Sequence, residues 1–135
     1  MTESSSTVLV VDDDSEIRQA VMDVLQRAGY QVAEACDGPA AVERALELKP
    51  DLVFLDMTMP GGMDGADVAA ELRRREAVAR TPLVALSAGR EPEDRERALQ
   101  AGCNIYLTKP CAPARIREVV QTMLGKRGEL DVLGS

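Results

Sequence analysis

At 135 residues, with 45% hydrophobic and 29% charged side chains, the chain has the length and balance of one soluble globular domain that buries its own core. A formal net charge of −7, one Phe, two Tyr and no Trp argue against a surface that grips phosphates or stacks bases, so no direct nucleic acid contact is expected. The sequence contains no histidine, which excludes His-ligated metals, Ser–His and Cys–His nucleophile pairs and an internal phosphohistidine relay. Carboxylates, hydroxyls, lysine and a bound ion must carry any chemistry.

Residues 1–7 form a polar leader with neither a basic start nor an apolar stretch, so no signal peptide is expected. No apolar run approaches membrane-spanning length, and no membrane contact is expected. Cys36, Cys103 and Cys111 are odd in number and lack Cys-x-x-Cys spacing. They read as free thiols acting as small buried hydrophobes in a reducing, cytoplasmic compartment.

The first structured run is Val8-Leu9-Val10-Val11, which is apolar throughout and ends on Asp12-Asp13-Asp14. Ser15 is expected to cap a helix, with Arg18 at the position where a capping box would place Glu. Ile17, Ala20, Val21, Val24, Leu25 and Ala28 recur at helical spacing until Gly29. Residues 31–35 alternate polar and apolar, as an edge strand does. Asp37-Gly38-Pro39 opens a second helix, and Lys49-Pro50 closes it.

The third apolar run, Leu52-Val53-Phe54-Leu55, stops on Asp56 and breaks into Met57-Thr58-Met59-Pro60-Gly61-Gly62. A short run without alternation suits a strand buried on both faces. A third helix over about 65–76 turns Val68, Ala69 and Leu72 inward, with Arg73, Arg74 and Arg75 as a solvated, dipole-complementing end. Leu83-Val84-Ala85-Leu86 is a fourth buried strand, ending on Ser87. A charged fourth helix, roughly 93–101, has a thin apolar face of Ala98, Leu99 and Ala101. Ile105-Tyr106-Leu107 is a short fifth strand that leads to Thr108-Lys109-Pro110. Pro113 starts a last helix with Ile116, Val119, Val120, Met123 and Leu124 facing in. Residues 125–135 read as a tail or the start of a linker.

Five strand–helix units imply an α/β domain with a parallel sheet and helices on both faces. The three solid runs belong in the middle and the second and fifth strands at the edges, which fits the order 2-1-3-4-5. Ligands bind beyond the carboxyl ends of such strands, where the strand order reverses. That rim receives Asp12, Asp13, Asp56, Ser87 and Lys109. Clustered carboxylates repel by roughly 1–4 kcal/mol per pair at about 4 Å. Oxygen donors alone call for a hard cation, Mg2+ or Mn2+. Carboxylates are nucleophiles toward phosphoryl groups, and a cation, an ammonium and a hydroxyl suit the transferring oxygens.

At these residues the sequence resembles the receiver domain of bacterial two-component response regulators, of the single-domain, chemotaxis-regulator-like kind. The shared motifs are Val8-Leu9-Val10-Val11-Asp12-Asp13, Asp51-Leu52-Val53-Phe54-Leu55-Asp56, Met59-Pro60, Met63-Asp64-Gly65, Leu86-Ser87-Ala88 and Tyr106-Leu107-Thr108-Lys109-Pro110. Each is weak alone; the ordered set, spread over residues 8–124, is specific. The resemblance implies a flavodoxin-like, doubly wound, five-stranded sheet with five helices. It implies that Asp56 accepts a phosphoryl group from a histidine kinase or histidine phosphotransfer protein, or from a small acyl phosphate. Mg2+ would lie on Asp12, Asp13, Asp56 and the Thr58 backbone carbonyl. Ser87 and Lys109 would bind the phosphoryl group, and Tyr106 would swing with it. A downstream protein would read the face of helix four, strand five and helix five, as a monomer or a phosphorylation-dependent dimer. The protein would be a switch that catalyses only its own phosphorylation and dephosphorylation. The bond before Pro110 is often cis in the family.

Two departures stand out. Gly61-Gly62 lengthens the loop after Met59-Pro60 by one residue, and Cys111 replaces a common aromatic, which should loosen packing beneath the last helix. Two other functions compete. One is a constitutive interaction module without the chemistry, against which the complete acid set argues. The other is an aspartyl-phosphate hydrolase, which would carry a second acid where Thr58 stands. Asp14 reads as a loop acid or cap contributor, not a ligand.

Overall fold

The computed structural model describes residues 6–125. Five parallel strands, β1 (Thr7–Val11), β2 (Gln31–Ala35), β3 (Leu52–Asp56), β4 (Leu83–Ser87) and β5 (Ile105–Thr108), lie in the order β2-β1-β3-β4-β5. Between and after them run α1 (Ser15–Arg27), α2 (Gly38–Leu48), α3 (Gly65–Arg74), α4 (Pro92–Ala101) and α5 (Pro113–Val120). The fold class and strand order expected from the sequence are those observed. Most of residues 1–7 and of the tail lie outside the described residues, but Thr7 does not belong to a leader. It pairs with Gln31 as the first residue of β1.

The strands with no polar alternation are central because both of their faces are covered. Leu9, Val11, Val53, Leu55, Leu83 and Ala85 point to one side, into a core closed by α2, α3 and α4. Val8, Val10, Leu52, Phe54, Val84 and Leu86 point to the other, against α1 and α5. Side chains in a strand alternate between faces, so unbroken apolar runs are what two covered faces require. The edge strands are less buried, with Gln31 and Glu34 exposed on β2 and Thr108 exposed on β5.

Several helix ends differ from expectation. Asp14, not Ser15, caps α1: its carboxylate accepts from the Glu16 and Ile17 amides at 2.9 and 3.2 Å. A carboxylate at this position satisfies two otherwise unpaired N–H groups and complements the helix dipole. The third helix ends at Arg74, and a short 3-10 turn follows at Glu76–Val78. Arg73 is not a solvated helix end. Its guanidinium turns inward and donates to the carbonyls of Gly102, Ala79 and Thr81 and to Asn104 Oδ1. On α4 only Ala98 is fully buried, and Leu99 is 38% exposed rather than inward. The last helix widens at Gln121–Gly125 into a π-helical turn, where Met123 and Leu124 still pack on the core. Of the three free thiols, Cys103 is buried and Cys111 half-buried, whereas Cys36 is exposed. The small-hydrophobe reading therefore fails for Cys36.

Candidate functional site

The β1, β3, β4 and β5 ends form one rim. Val11 is in register with Leu55, Asp56 with Leu86 and Ser87 with Thr108. The residues just beyond these pairs reach the same edge because the strands are parallel. Asp12, Asp13 and Asp56 each offer a carboxylate oxygen, all within 4.8 Å of one another. Asp12 and Asp56 are almost wholly buried, at 1% and 2% exposure, while Asp13 opens to solvent. Lys109 Nζ sits 2.9 Å from Asp12 Oδ2 and 3.2 Å from Asp56 Oδ1. The bond between Lys109 and Pro110 is cis.

Local turns aim these groups. The Asp14 amide donates to Asp12 Oδ1 at 2.9 Å, and the Thr58 amide donates to Asp56 Oδ1 at 3.1 Å. Asp12 Oδ2 is paired with the Lys109 ammonium at 2.9 Å. A carboxylate oxygen has two acceptor positions, so Asp12 Oδ2 can take a cation beside the ammonium. The donor set is all oxygen and partly exposed, which fits Mg2+ with its retained waters.

The electrostatics agree with that fit. Burial pushes the Asp56 carboxyl up to about 7, with Asp12 and Asp13 adding to the rise and the Thr58 amide and Lys109 opposing it. Burial alone would lower the Lys109 ammonium, but Asp12 and Asp56 together hold it above its usual range. The lysine is charged at neutral pH and offsets one of the three acids.

Ser87 is 6% exposed, and its Oγ accepts from the Gly89 amide at 3.0 Å. Tyr106 is half-buried outside the acid pocket, and its hydroxyl donates to the Gly89 carbonyl at 2.7 Å. Gly89 is thus held by both residues, Ser87 at its amide and Tyr106 at its carbonyl. Gly65 closes the other side of the pocket. A Cβ there would overlap the Asp56 carbonyl and sit 2.6 Å from Met57 Cα, so only glycine lets α3 start so close to the end of β3. The added loop residue is accommodated by two left-handed glycines, with φ of 96° at Gly61 and 86° at Gly62.

Sequence reasoning missed Arg18. It lies one helical turn above the acid loop, with Nη1 2.7 Å from the Asp12 carbonyl and Nε 2.6 Å from Glu34 Oε1. A cation one turn along a helix from three acids was the available signal. Beside Cys111 a cavity of about 450 Å³ opens between α1 and α5, lined by Ile17, Val21, Leu86, Cys111 and Ile116.

Known proteins share this arrangement. The response regulator receiver domain family matches residues 8–121. The phosphate regulon transcriptional regulatory protein PhoB of Escherichia coli (strain K12) is 41% identical over 118 residues, covering 84% of this chain and 51% of that protein. The chain therefore spans about half the length of the curated relatives it matches. Among solved structures, the chemotaxis protein CheY4 of Vibrio cholerae superposes with a TM-score of 0.84 at 32% identity, over 90% of this chain and 100% of that one. The receiver domain of a sensor histidine kinase from Pseudomonas aeruginosa PAO1, with a magnesium ion coordinated in its active site cleft, gives 0.83 at 33% identity, over 90% and 99%. With the family matched over nearly all of the described fold, the chain belongs to the receiver domains of two-component response regulators, signalling switches that are phosphorylated on aspartate.

Proposed function

We propose that Asp56 is the phosphoacceptor and that its modification alters a face read by a partner protein. The donor is a histidine kinase or a histidine phosphotransfer protein, with small acyl phosphates as substitutes. An Asp56 carboxylate oxygen forms the new P–O bond as the donor's bond to phosphorus breaks, and a departing imidazole takes up a proton. Asp12, Asp13, Asp56 and the Thr58 carbonyl would hold Mg2+, or Mn2+ by the same oxygen chemistry, and the ion supplies neutralisation of the phosphoryl oxygens. Asp12 and Asp13 thereby lose their repulsion toward the incoming anion. Lys109 adds a fixed ammonium beside Asp56.

Ser87 supports the link to the surface. Its oxygen already accepts from the Gly89 amide, so its proton is free to meet a phosphoryl oxygen. Turning Ser87 that way strains the bond to Gly89, whose carbonyl holds Tyr106. Tyr106 would then reorient on the face made by α4, β5 and α5. The protein works in the cytoplasm and acts through protein contacts, with a single self-modification rather than turnover of a substrate pool. No helix among the described residues is long and apolar enough to cross a membrane.

The observation that carries the reading is the pair of buried carboxylates, Asp12 and Asp56, bridged by Lys109 and joined within 4.8 Å by a carboxylate oxygen of Asp13. Incubation with Mg2+ and acetyl phosphate is expected to add the mass of one phosphate, and Asp56→Ala to abolish the gain. A wild-type protein that stays unmodified with acetyl phosphate, carbamoyl phosphate and phosphoramidate would refute it.

A further inference from the structure

We infer that Arg18 is a positioning residue for the acid loop: its guanidinium fixes the peptide unit between Asp12 and Asp13 and so sets how their carboxylates converge. The inference rests on the metal-site reading above and extends it to a side chain that would not itself meet the cation. Asp12 and Asp13 are consecutive, yet both present an oxygen to the same point as Asp56. Neighbouring side chains on extended backbone point to opposite faces, so the chain has to turn between these two. The orientation of one peptide plane therefore decides whether the two oxygens meet. That plane carries the Asp12 carbonyl, which accepts from Arg18 Nη1 at 2.7 Å.

Arg18 stands in the first turn of α1 and spans the loop. Its own amide donates to the Asp14 carbonyl at 2.9 Å, while its side chain returns to Asp12 at the start of the loop. The Asp12 amide donates to the Ala35 carbonyl at 3.2 Å, and the Asp14 amide to Asp12 Oδ1 at 2.9 Å. With the Arg18 bond, the amide, the side chain and the carbonyl of Asp12 are all tied. The guanidinium is itself aimed by Glu34 on β2, whose Oε1 lies 2.6 Å from Nε. A planar fork with one arm on a carboxylate and another on a carbonyl keeps little rotational freedom. The Glu34 side chain is 51% exposed and that of Arg18 16%. An ion pair so open on one side contributes little to stability by itself, so the consequence of the arrangement lies at the Asp12 carbonyl.

Two simpler roles have different signatures. As a bare charge, Arg18 would repel an incoming cation, and its removal would tighten Mg2+ binding. As a staple between α1 and β2, it would affect unfolding and leave metal affinity alone. As a positioning residue, its loss weakens Mg2+ binding, because ligands lose affinity when the groups that orient them are removed.

Calorimetric Mg2+ titration and thermal unfolding of the metal-free protein separate the three. Arg18→Gln is expected to weaken Mg2+ binding by about tenfold. Arg18→Lys should recover part of the loss, because an ammonium lacks the fork that serves carbonyl and carboxylate together. Glu34→Gln should weaken binding by a smaller factor, and by less still in the Arg18→Gln background, since the two act in one chain. Arg73→Lys, which disturbs hydrogen bonds at the far end of α3 from the rim, is the stability control. Its Tm should fall with Mg2+ affinity unchanged. In the metal-free protein the Asp14 amide, which donates to Asp12 Oδ1, should exchange with deuterium several-fold faster in Arg18→Gln than in the wild type. Unchanged or tighter Mg2+ binding in Arg18→Gln, or an equal loss in Arg73→Lys, would overturn the inference and leave the metal-site reading in place. A wild-type protein that takes up no Mg2+ at millimolar concentration would overturn both.

Discussion

Arg73 donates twice to the Gly102 carbonyl, through Nε at 3.0 Å and Nη2 at 2.7 Å. One side chain on α3 thus closes the C-terminal end of α4, where carbonyls lack helical partners. The same guanidinium reaches the Ala79 and Thr81 carbonyls at 3.0 and 2.8 Å, just ahead of β4. Arg73→Ala would leave these acceptors unsatisfied around a new void. The expected cost is about 2–4 kcal/mol, read as a lower urea midpoint with little change in slope. Arg73→Lys should recover only part of it, since one ammonium lacks the fork that reaches both helix and turn.

With Asp56 as a proposed metal ligand, proton and metal would compete for its carboxylate. Its carboxyl is pushed up to about 7, mainly by burial. Metal binding needs the ionised form, so apparent Mg2+ affinity should fall by up to about tenfold per pH unit below that value. Isothermal titration at pH 6 and pH 8 checks this. For the metal-free fold the sign is also fixed. A carboxyl whose folded value exceeds its unfolded value of 3.8 binds its proton more tightly when folded. Its contribution to stability is therefore present at low pH and lost as pH rises from about 4 to 7. Asp56→Asn should raise the metal-free Tm at pH 8 and flatten this dependence.

The framework was legible because each signal was local. Apolar runs without alternation, such as residues 52–55, require two covered faces, and the carboxylates that end them fall on one rim in any parallel sheet. What escaped depended on contacts between distant segments. Arg73 looked like its neighbours Arg74 and Arg75, and only the arrival of Gly102 and Asn104 beside it gives its charge a buried use. Arg18 gained its role from Glu34 on an edge strand and from a carbonyl, which carries no sequence mark. Ser15 and Asp14 are both good caps, and sequence alone did not separate them. Leu99 directly follows buried Ala98, a fraction of a turn round the helix, and faces solvent because α4 covers the sheet with a single narrow stripe.

The cleft beneath Cys111 gives a stabilising substitution. It is about 450 Å³, its walls are almost wholly apolar, and Cys111 is only half-buried at its edge. Cys111→Phe adds ring volume where space exists and covers Val21 and Ile116. The expected gain is about 0.5–2 kcal/mol in thermal or urea denaturation. A loss of stability would mean that the ring cannot enter the cleft in a relaxed rotamer.

Asp13 and Asp14 are adjacent acids with opposite expected signatures. Asp14 accepts from two amides at the start of α1, so Asp14→Ala should cost about 1 kcal/mol of stability and leave Mg2+ affinity nearly unchanged. Asp13 is exposed, with a carboxylate oxygen within 4.8 Å of those of Asp12 and Asp56. Asp13→Ala should weaken Mg2+ binding at least several-fold. It should keep or slightly raise the metal-free Tm, because one repulsive charge is removed from the cluster. Urea denaturation without metal and calorimetric Mg2+ titration, run on both variants, separate cap from ligand. If Asp14→Ala lost the metal instead, the ion would have to sit nearer α1 than the Asp12–Asp56 pair allows.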